Sequence, residues 1–195
     1  MKRKNFVLIL IFFLVSVNCN SQELSEGQKL WSNDSKLTVK DYKLKKSDAY
    51  NEVIVSQFLI SHQVKGFDFF KKNFNNRVLN IFVGNASWID TDNISNIDKQ
   101  LLFQQLQFDL AEICTRHFRR RLLLNKRKIA KGFTIVNEIS NEIIAEFSSR
   151  RLKFVNETKR GQDENKIKEW KERIIKELEE LKEFRFENKK RIKLK

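Results

Sequence analysis

The middle of the chain reads Leu101-Leu102-Phe103-Gln104-Gln105-Leu106-Gln107-Phe108-Asp109-Leu110-Ala111-Glu112. In and beyond this stretch one row of mostly apolar side chains recurs at every third or fourth position: Leu102, Leu106, Leu110, Ile113 and His117. Side chains spaced in this way lie on one face of an α-helix. The pattern therefore predicts one long helix over about 97–125, capped by Asn96 or Asp98.

The residues on either side of this helix predict an α+β fold. On the N-terminal side, β-branched and aromatic runs bounded by Asn, Gly and Lys predict strands at 53–55, 58–60 and 78–83. On the C-terminal side, apolar periodicity predicts helices over about 134–155 and 163–185, with a break at 157–162. We expect a mixed or antiparallel N-terminal sheet, then the long helix and a helical C-terminal region.

The domain organisation follows from this order of elements. The pattern predicts one domain over 22–188, with a β-rich part at 22–95 and a helical part at 96–188. The remaining residues, 189–195, form a basic tail that we expect to be frayed.

Residues 1–21 have the pattern of a signal peptide. A basic start precedes an apolar run at 6–15, and a small-residue exit includes Cys19 and Ser21. The apolar run is too short to span a bilayer. We predict an exported protein, periplasmic or secreted, that is cleaved after Ser21 and has no other membrane segment. The alternative is a lipoprotein anchored through Cys19, although Asn18 stands where a lipobox has a small residue.

Basic residues are concentrated in the C-terminal half of this 195-residue chain, whose formal net charge is +14. Residues 23–112 carry 11 basic and 12 acidic groups, whereas residues 113–195 carry 25 basic and 13 acidic groups. The excess favours weak contact with an anionic surface, although a Lys-rich solvated helix gives the same count. Export argues against nucleic acid as a partner, so we expect an unknown protein or another envelope component.

Several short motifs occur in an order typical of one known family. They are Leu37-Thr38-Val39-Lys40-Asp41-Tyr42, then Ser87-Trp88, then the helical stretch quoted above, then Phe154-Val155-Asn156-Glu157-Thr158-Lys159-Arg160-Gly161, and finally Trp170. Over about 37–175 this order resembles a family of exported bacterial zinc-dependent peptidase-like proteins, domains of largely unknown function. Their helix carries His-Glu-x-x-His-Phe-Asp-x-x-Glu, and a later stretch reads Tyr-Asp-x-x-Thr-x-His-Gly. The resemblance implies a zincin-like fold.

The chain departs from that family at the positions that would hold the metal. Phe103 and Gln107 stand at the two histidine positions of the helix, Gln104 at the general base, and Arg160 at the later histidine. A phenyl ring has no lone pair, an amide is a poor zinc ligand and no base, and a guanidinium repels a dication. The resemblance therefore implies a non-catalytic pseudoenzyme without a cofactor, in a binding or structural role. We also expect Phe103 to fill the former metal site, so that the cleft becomes part of the core.

Two alternatives use residues that the chain retains. Asp109 and Glu112, with His117, are candidates for a residual polar site, and together with His62 they would allow a rebuilt metal site and an active hydrolase. Cys114 with His117 three residues later could mimic a nucleophile and its base, since the basic residues that follow would lower the thiol pKa. The other alternative is a basic envelope-surface or partner-binding module formed by the C-terminal helices.

Overall fold

The computed structural model describes residues 24–46 and 51–193, so the predicted signal peptide and Cys19 lie outside the described residues. The strands within these ranges are β1 (Gln28–Leu30), β2 (Ile54–Val55), β3 (Phe58–His62), β4 (Val78–Val83) and β5 (Trp88–Ile89). The helices are α1 (Ile97–Leu124), α2 (Lys126–Ile129), α3 (Thr134–Glu157) and α4 (Glu164–Glu180). The predicted α+β class, with strands first and helices after, is confirmed.

Both sheets are antiparallel. β4 is the central strand of a three-stranded sheet between β1 and β3, and β2 pairs with β5 in a separate two-stranded sheet. The three predicted strands are present to within two residues at each end. The sequence pattern does not indicate β1, because its three residues, Gln-Lys-Leu, contain no β-branched or aromatic side chain; its edge position comes from pairing with β4.

Helix α1 begins at the predicted residue, and Asn96 is its cap, since the Asn96 side chain accepts a hydrogen bond from Lys99 N at 2.9 Å. The helix lies between the sheet and helices α3 and α4, so it is buried on most of its circumference. The predicted apolar row is therefore only one of its buried faces. Leu102, at the start of that row, is 38% exposed.

Burial of the opposite face of α1 requires partners for its charged side chains. Glu112 accepts hydrogen bonds from Arg116 Nε and Arg119 Nη1, each at 2.9 Å. Arg119, which is 1% exposed, also donates to the backbone oxygens of Val78 and Phe184. This buried cluster ties α1 to strand β4 and to the segment after α4.

The expectation of a frayed tail is wrong for residues 189–193. The Asn73 side chain donates to the backbone oxygens of Asn188 and Lys190, at 3.0 and 2.6 Å, and Ile192 is buried against the core.

The predicted third helix ends at Glu180 rather than near 185. A short 3-10 helix, Lys182–Phe184, follows it. No helix formed by the described residues has both the length and the apolarity needed to cross a bilayer.

Candidate functional site

The four positions that depart from the zinc-peptidase pattern line one cleft. Phe103, Gln104 and Gln107 come from the N-terminal half of α1, and Arg160 comes from the loop between α3 and α4. The opposite wall is β2 with the residues before it, and the volume is about 430 Å³. Residues far apart in the chain are thus brought to one place.

Phe103 packs into the core beside this cleft. Its ring stacks on the ring of Phe154, with centroids 5.1 Å apart and planes inclined by 21°, and Phe154 in turn meets Trp170 edge to face. A Cβ added to Gly161 would lie 2.9 Å from Phe103 Cγ, so the ring needs a glycine there. The expected burial of Phe103 is confirmed, but the expectation that the cleft closes is wrong. Phe103 lines the cleft together with the polar side chains of Gln104, Gln107, Arg151 and Arg160.

An unusual backbone conformation places Arg160 at the rim. Lys159, Arg160 and Gly161 are consecutive left-handed residues, with φ of 49°, 56° and 85°. This conformation costs roughly 1–2 kcal/mol for a residue with a Cβ. The turn is held by Thr158, whose Oγ1 donates to Phe154 O at 2.7 Å and accepts from Gly161 N at 3.3 Å. The predicted break after α3 is confirmed.

Arg151, on α3, also lines the cleft, and the sequence pattern does not indicate it as a site residue. Its Nε donates to Gln107 Oε1 at 2.8 Å, and its Nη2 donates to the backbone oxygen of Ser56 at 3.2 Å. Its guanidinium carbon lies 5.4 Å from the centre of the Phe58 ring. Among the described residues no carboxylate pairs with Arg151, and burial lowers its pKa. Its neighbour Arg150, by contrast, pairs with Glu177 at 2.7 Å, and nothing in the sequence distinguishes the two arginines.

The guanidinium determines how the two glutamines are oriented. Arginine can only donate, so Gln107 must present Oε1 to Arg151 and turn its Nε2 away. That Nε2 donates to Gln104 Oε1 at 3.1 Å, which leaves Gln104 Nε2 without an acceptor among the described residues. The chain of hydrogen bonds therefore uses the amide oxygens internally. Within this chain of side chains, the groups left for a ligand are donors: Gln104 Nε2 and the remaining Arg151 N–H groups.

This donor set does not fit a divalent cation. Among the described residues, the cleft is lined by two guanidinium groups, those of Arg151 and Arg160, and by one carboxylate, that of Glu52. No imidazole lines it, and the amide oxygens of Gln104 and Gln107 already accept hydrogen bonds. Zinc sites in proteins are built from imidazole, thiolate and carboxylate ligands. The cleft instead suits a group that is negatively charged and accepts hydrogen bonds.

None of the three candidates for a residual polar site lines the cleft. Asp109 accepts from Trp31 Nε1 at 2.7 Å and from Gln105 Nε2 at 2.8 Å, and burial raises the pKa of its carboxyl group. Glu112 belongs to the buried arginine cluster. Burial lowers the pKa of His117. No group of three or more His, Cys, Asp or Glu side chains that could hold a metal ion occurs within 24–46 and 51–193.

The other candidate chemistry involves His62 and Cys114. The His62 ring lies edge to face against Phe118 at 5.4 Å, in an apolar contact. Cys114 is fully buried, and burial raises the pKa of its thiol to about 12. The expectation that basic neighbours would lower this pKa is wrong, because desolvation of the thiolate outweighs the charge of residues further along the helix.

Side chains from the motifs that suggested a zinc-peptidase resemblance contact residues that line the cleft. Tyr42 hydrogen-bonds through its hydroxyl to Ser56 Oγ at 2.9 Å, and Trp88 Nε1 donates to the backbone oxygen of Glu52 at 3.2 Å. Ser87 Oγ accepts from Gln57 N at 2.9 Å. Comparisons of the chain with protein-family models, with curated proteins and with solved structures gave no match.

Proposed function

We propose that this protein is a non-catalytic, zinc-peptidase-like binding protein of the bacterial cell envelope, and that its cleft binds a ligand with a carboxylate group. The observation that carries the proposal is the half-buried Arg151, whose charge no carboxylate among the described residues neutralises. An arginine in a partly dehydrated site gains most from an anion that accepts two parallel hydrogen bonds.

The free donors around Arg151 define how such a ligand would sit. Its Nη1 has no partner among the described residues, and Gln104 Nε2 supplies a second donor along the same wall. Arg160, exposed at the rim, adds positive charge at the entrance. The fixed geometry of Gln104 and Gln107 means that little side-chain ordering is required when the ligand binds, and this favours affinity.

The same residues argue against the alternative of an active hydrolase. Hydrolysis needs a nucleophile or an activated water, together with a general base near its working pKa. Amides and guanidinium groups supply neither, and the hydroxyl of Ser56 is buried against Tyr42 rather than beside a base. The carboxylate of Glu52, on the exposed side of the cleft, has no imidazole or metal ligand beside it among the residues that line the cleft.

Metal content and turnover test the non-catalytic part of the proposal. The protein, purified from cells grown with abundant zinc, is expected to hold far less than one equivalent of zinc. It is also expected to cleave no member of a broad peptide library, with or without added zinc. One equivalent of bound zinc, or cleavage that depends on added metal, would overturn this part. Fractionation of cells that express the full chain tests the envelope location separately.

The carboxylate-binding part is tested with pairs of acetylated dipeptides that have a free or an amidated C terminus. Ligand-observed NMR is expected to detect binding of the free acids and much weaker binding of the matched amides. Arg151→Met keeps much of the aliphatic stem and removes the charge, and it is expected to abolish the difference. Equal binding of acids and amides to the unmodified protein would refute the proposed ligand class.

A further inference from the structure

Two phenylalanine side chains project into solvent from a tight turn that contributes no residue to the lining of the cleft. Phe67 is 82% exposed and Phe70 is 73% exposed, within the 3-10 turn Gly66–Phe70. Phe133, which is 43% exposed, lies beside this turn, since a Cβ on Gly66 would be 3.9 Å from Phe133 Cζ. Large apolar side chains clustered at the surface mark interaction sites more often than single exposed ones do.

Three basic segments of the chain meet around these rings. Residues 65–77 contain four basic groups and one acidic group, residues 124–137 contain four basic and no acidic groups, and residues 189–193 contain four basic and no acidic groups. The Lys126 ammonium donates to the backbone oxygen of Lys71, which joins the first two segments. Asn73 donates to the backbone oxygen of Lys190 at 2.6 Å, which joins the first and the third.

The acidic residue within these segments does not neutralise the surface. Asp68 is 2% exposed and is paired with Arg77 at 2.9 Å, so its charge is directed inward. Lys65, Lys72, Arg127, Lys128 and Lys131 are exposed. We call Phe67, Phe70 and Phe133, together with these five cations, the basic aromatic surface. It shares no residue with the lining of the cleft.

We propose that the basic aromatic surface binds to bilayers that contain anionic phospholipids, with Phe67 and Phe70 inserted among the headgroups. Peripheral membrane binding combines buried apolar area with attraction between Lys or Arg and anionic lipids. Phenylalanine has no polar group to keep in water, and a side chain that is four-fifths exposed at the tip of a turn can be surrounded by lipid on all sides. A stacked nucleotide base would cover one face of such a ring, so the geometry favours lipid over nucleic acid.

Vesicle flotation of the protein without residues 1–21 tests this inference. Strong binding is expected to vesicles of phosphatidylcholine mixed with phosphatidylglycerol, and little binding to phosphatidylcholine alone. Phe67→Ser/Phe70→Ser is expected to lower the partition coefficient by about tenfold or more. Each of Lys72→Gln and Lys128→Gln is expected to lower it by up to about fivefold, and added salt is expected to weaken the binding.

Matched variants on another face serve as controls. Leu152→Ser removes a side chain that is 62% exposed on α3, and Lys168→Gln removes an exposed cation on α4. Both are expected to bind like the unmodified protein, and circular dichroism verifies that every variant is folded. The inference is overturned by equal binding to neutral vesicles or by full binding of the double phenylalanine variant. The outcome does not depend on whether the cleft binds carboxylates.

Discussion

Arg151 donates from Nε to Oε1 of Gln107 across 2.8 Å, and this neutral amide is the group that α1 offers to the guanidinium in place of a carboxylate. Arg151 is therefore held in place without being neutralised. A glutamine at position 107 accomplishes this because it orients the arginine while its own amide nitrogen turns to Gln104. Helix α1 and helix α3 are thereby joined at the wall of the cleft.

Gln107→Glu would place a carboxylate against Arg151 with almost no change in shape. We expect the variant to remain folded and to bind carboxylate ligands about tenfold more weakly or worse, because the resident carboxylate competes for the guanidinium. Calorimetric titration measures the effect. Gln63→Glu, an exposed site outside the cleft, adds the same charge and should leave affinity unchanged. Equal affinities of Gln107→Glu and the unmodified protein would contradict the role given to Arg151.

Glu112→Ala would leave Arg116 and Arg119 buried without their carboxylate. Removal of one partner from a buried pair costs about 3–5 kcal/mol. We therefore expect a marked fall in the midpoint of urea unfolding. Glu142→Ala breaks the exposed ion pair with Arg121 and should cost less than about 1 kcal/mol. Similar losses of unfolding free energy in both variants would show that the buried cluster stabilises the fold no more than an exposed ion pair does.

Gly161→Ala should destabilise the loop that carries Arg160, for two reasons. Its φ of 85° disfavours any side chain, by roughly 1–2 kcal/mol, and the new methyl group would overlap the Phe103 ring. A Phe103→Ala background removes the two closest ring atoms and leaves only Cβ at 3.2 Å, so the same substitution should cost less there. Gly132→Ala is the control, since its new methyl group would point into open space, with no neighbouring atom within 4 Å. A cost that is equal in both backgrounds would exclude the contact with Phe103.

The Cys114 thiol should be unreactive in the folded protein, because it is fully buried and its pKa is raised to about 12. In a Cys19→Ser variant, iodoacetamide at a pH of about 8 should label Cys114 only after denaturant is added. Mass spectrometry of the intact protein measures the labelling. Rapid stoichiometric labelling without denaturant would revive the possibility of a nucleophilic cysteine.

The stability of the fold should depend on the protonation of Asp109. Burial raises the pKa of this carboxyl group, so its protonated form favours folding. The stabilisation of the fold that comes from protonated Asp109 is fully present below the unfolded-state pKa of about 4. It is lost as the pH rises through the higher pKa of the folded state. Asp109→Asn cannot ionise and keeps the oxygen that accepts from Trp31 and Gln105.

We therefore expect the stability of Asp109→Asn, relative to the unmodified protein, to increase as the pH rises from about 4 to 7. Free energies of unfolding in urea, measured at several pH values, give this difference directly. Asp34→Asn, at an exposed position, is the control for the general effect of removing a carboxylate. A difference that stays constant with pH would mean that Asp109 ionises in the folded protein as readily as in the unfolded chain.

Much of the helical part of the fold was predictable, because helix formation depends on spacing and caps within one short stretch. The row of Leu106, Leu110 and Ile113 and the cap at Asn96 located α1. The short strand β1 and the packed tail were not predictable in this way. β1 is held by its pairing with β4, and the tail is held by Asn73, more than a hundred residues away along the chain.

For the candidate site, too, some properties were predictable from residue types and others depended on the tertiary structure. The residue types at positions 103, 104, 107 and 160 were enough to predict the loss of the zinc chemistry that the suggested family would have, because the capacity to ligate a metal or take up a proton belongs to each side chain. Whether those residues meet, whether the cleft stays open, and whether Arg151 has a carboxylate nearby depend on distances between separate elements. The same is true of the three basic segments around Phe67 and Phe70. Local sequence does not encode those distances, since they result from how the helices and sheets pack together.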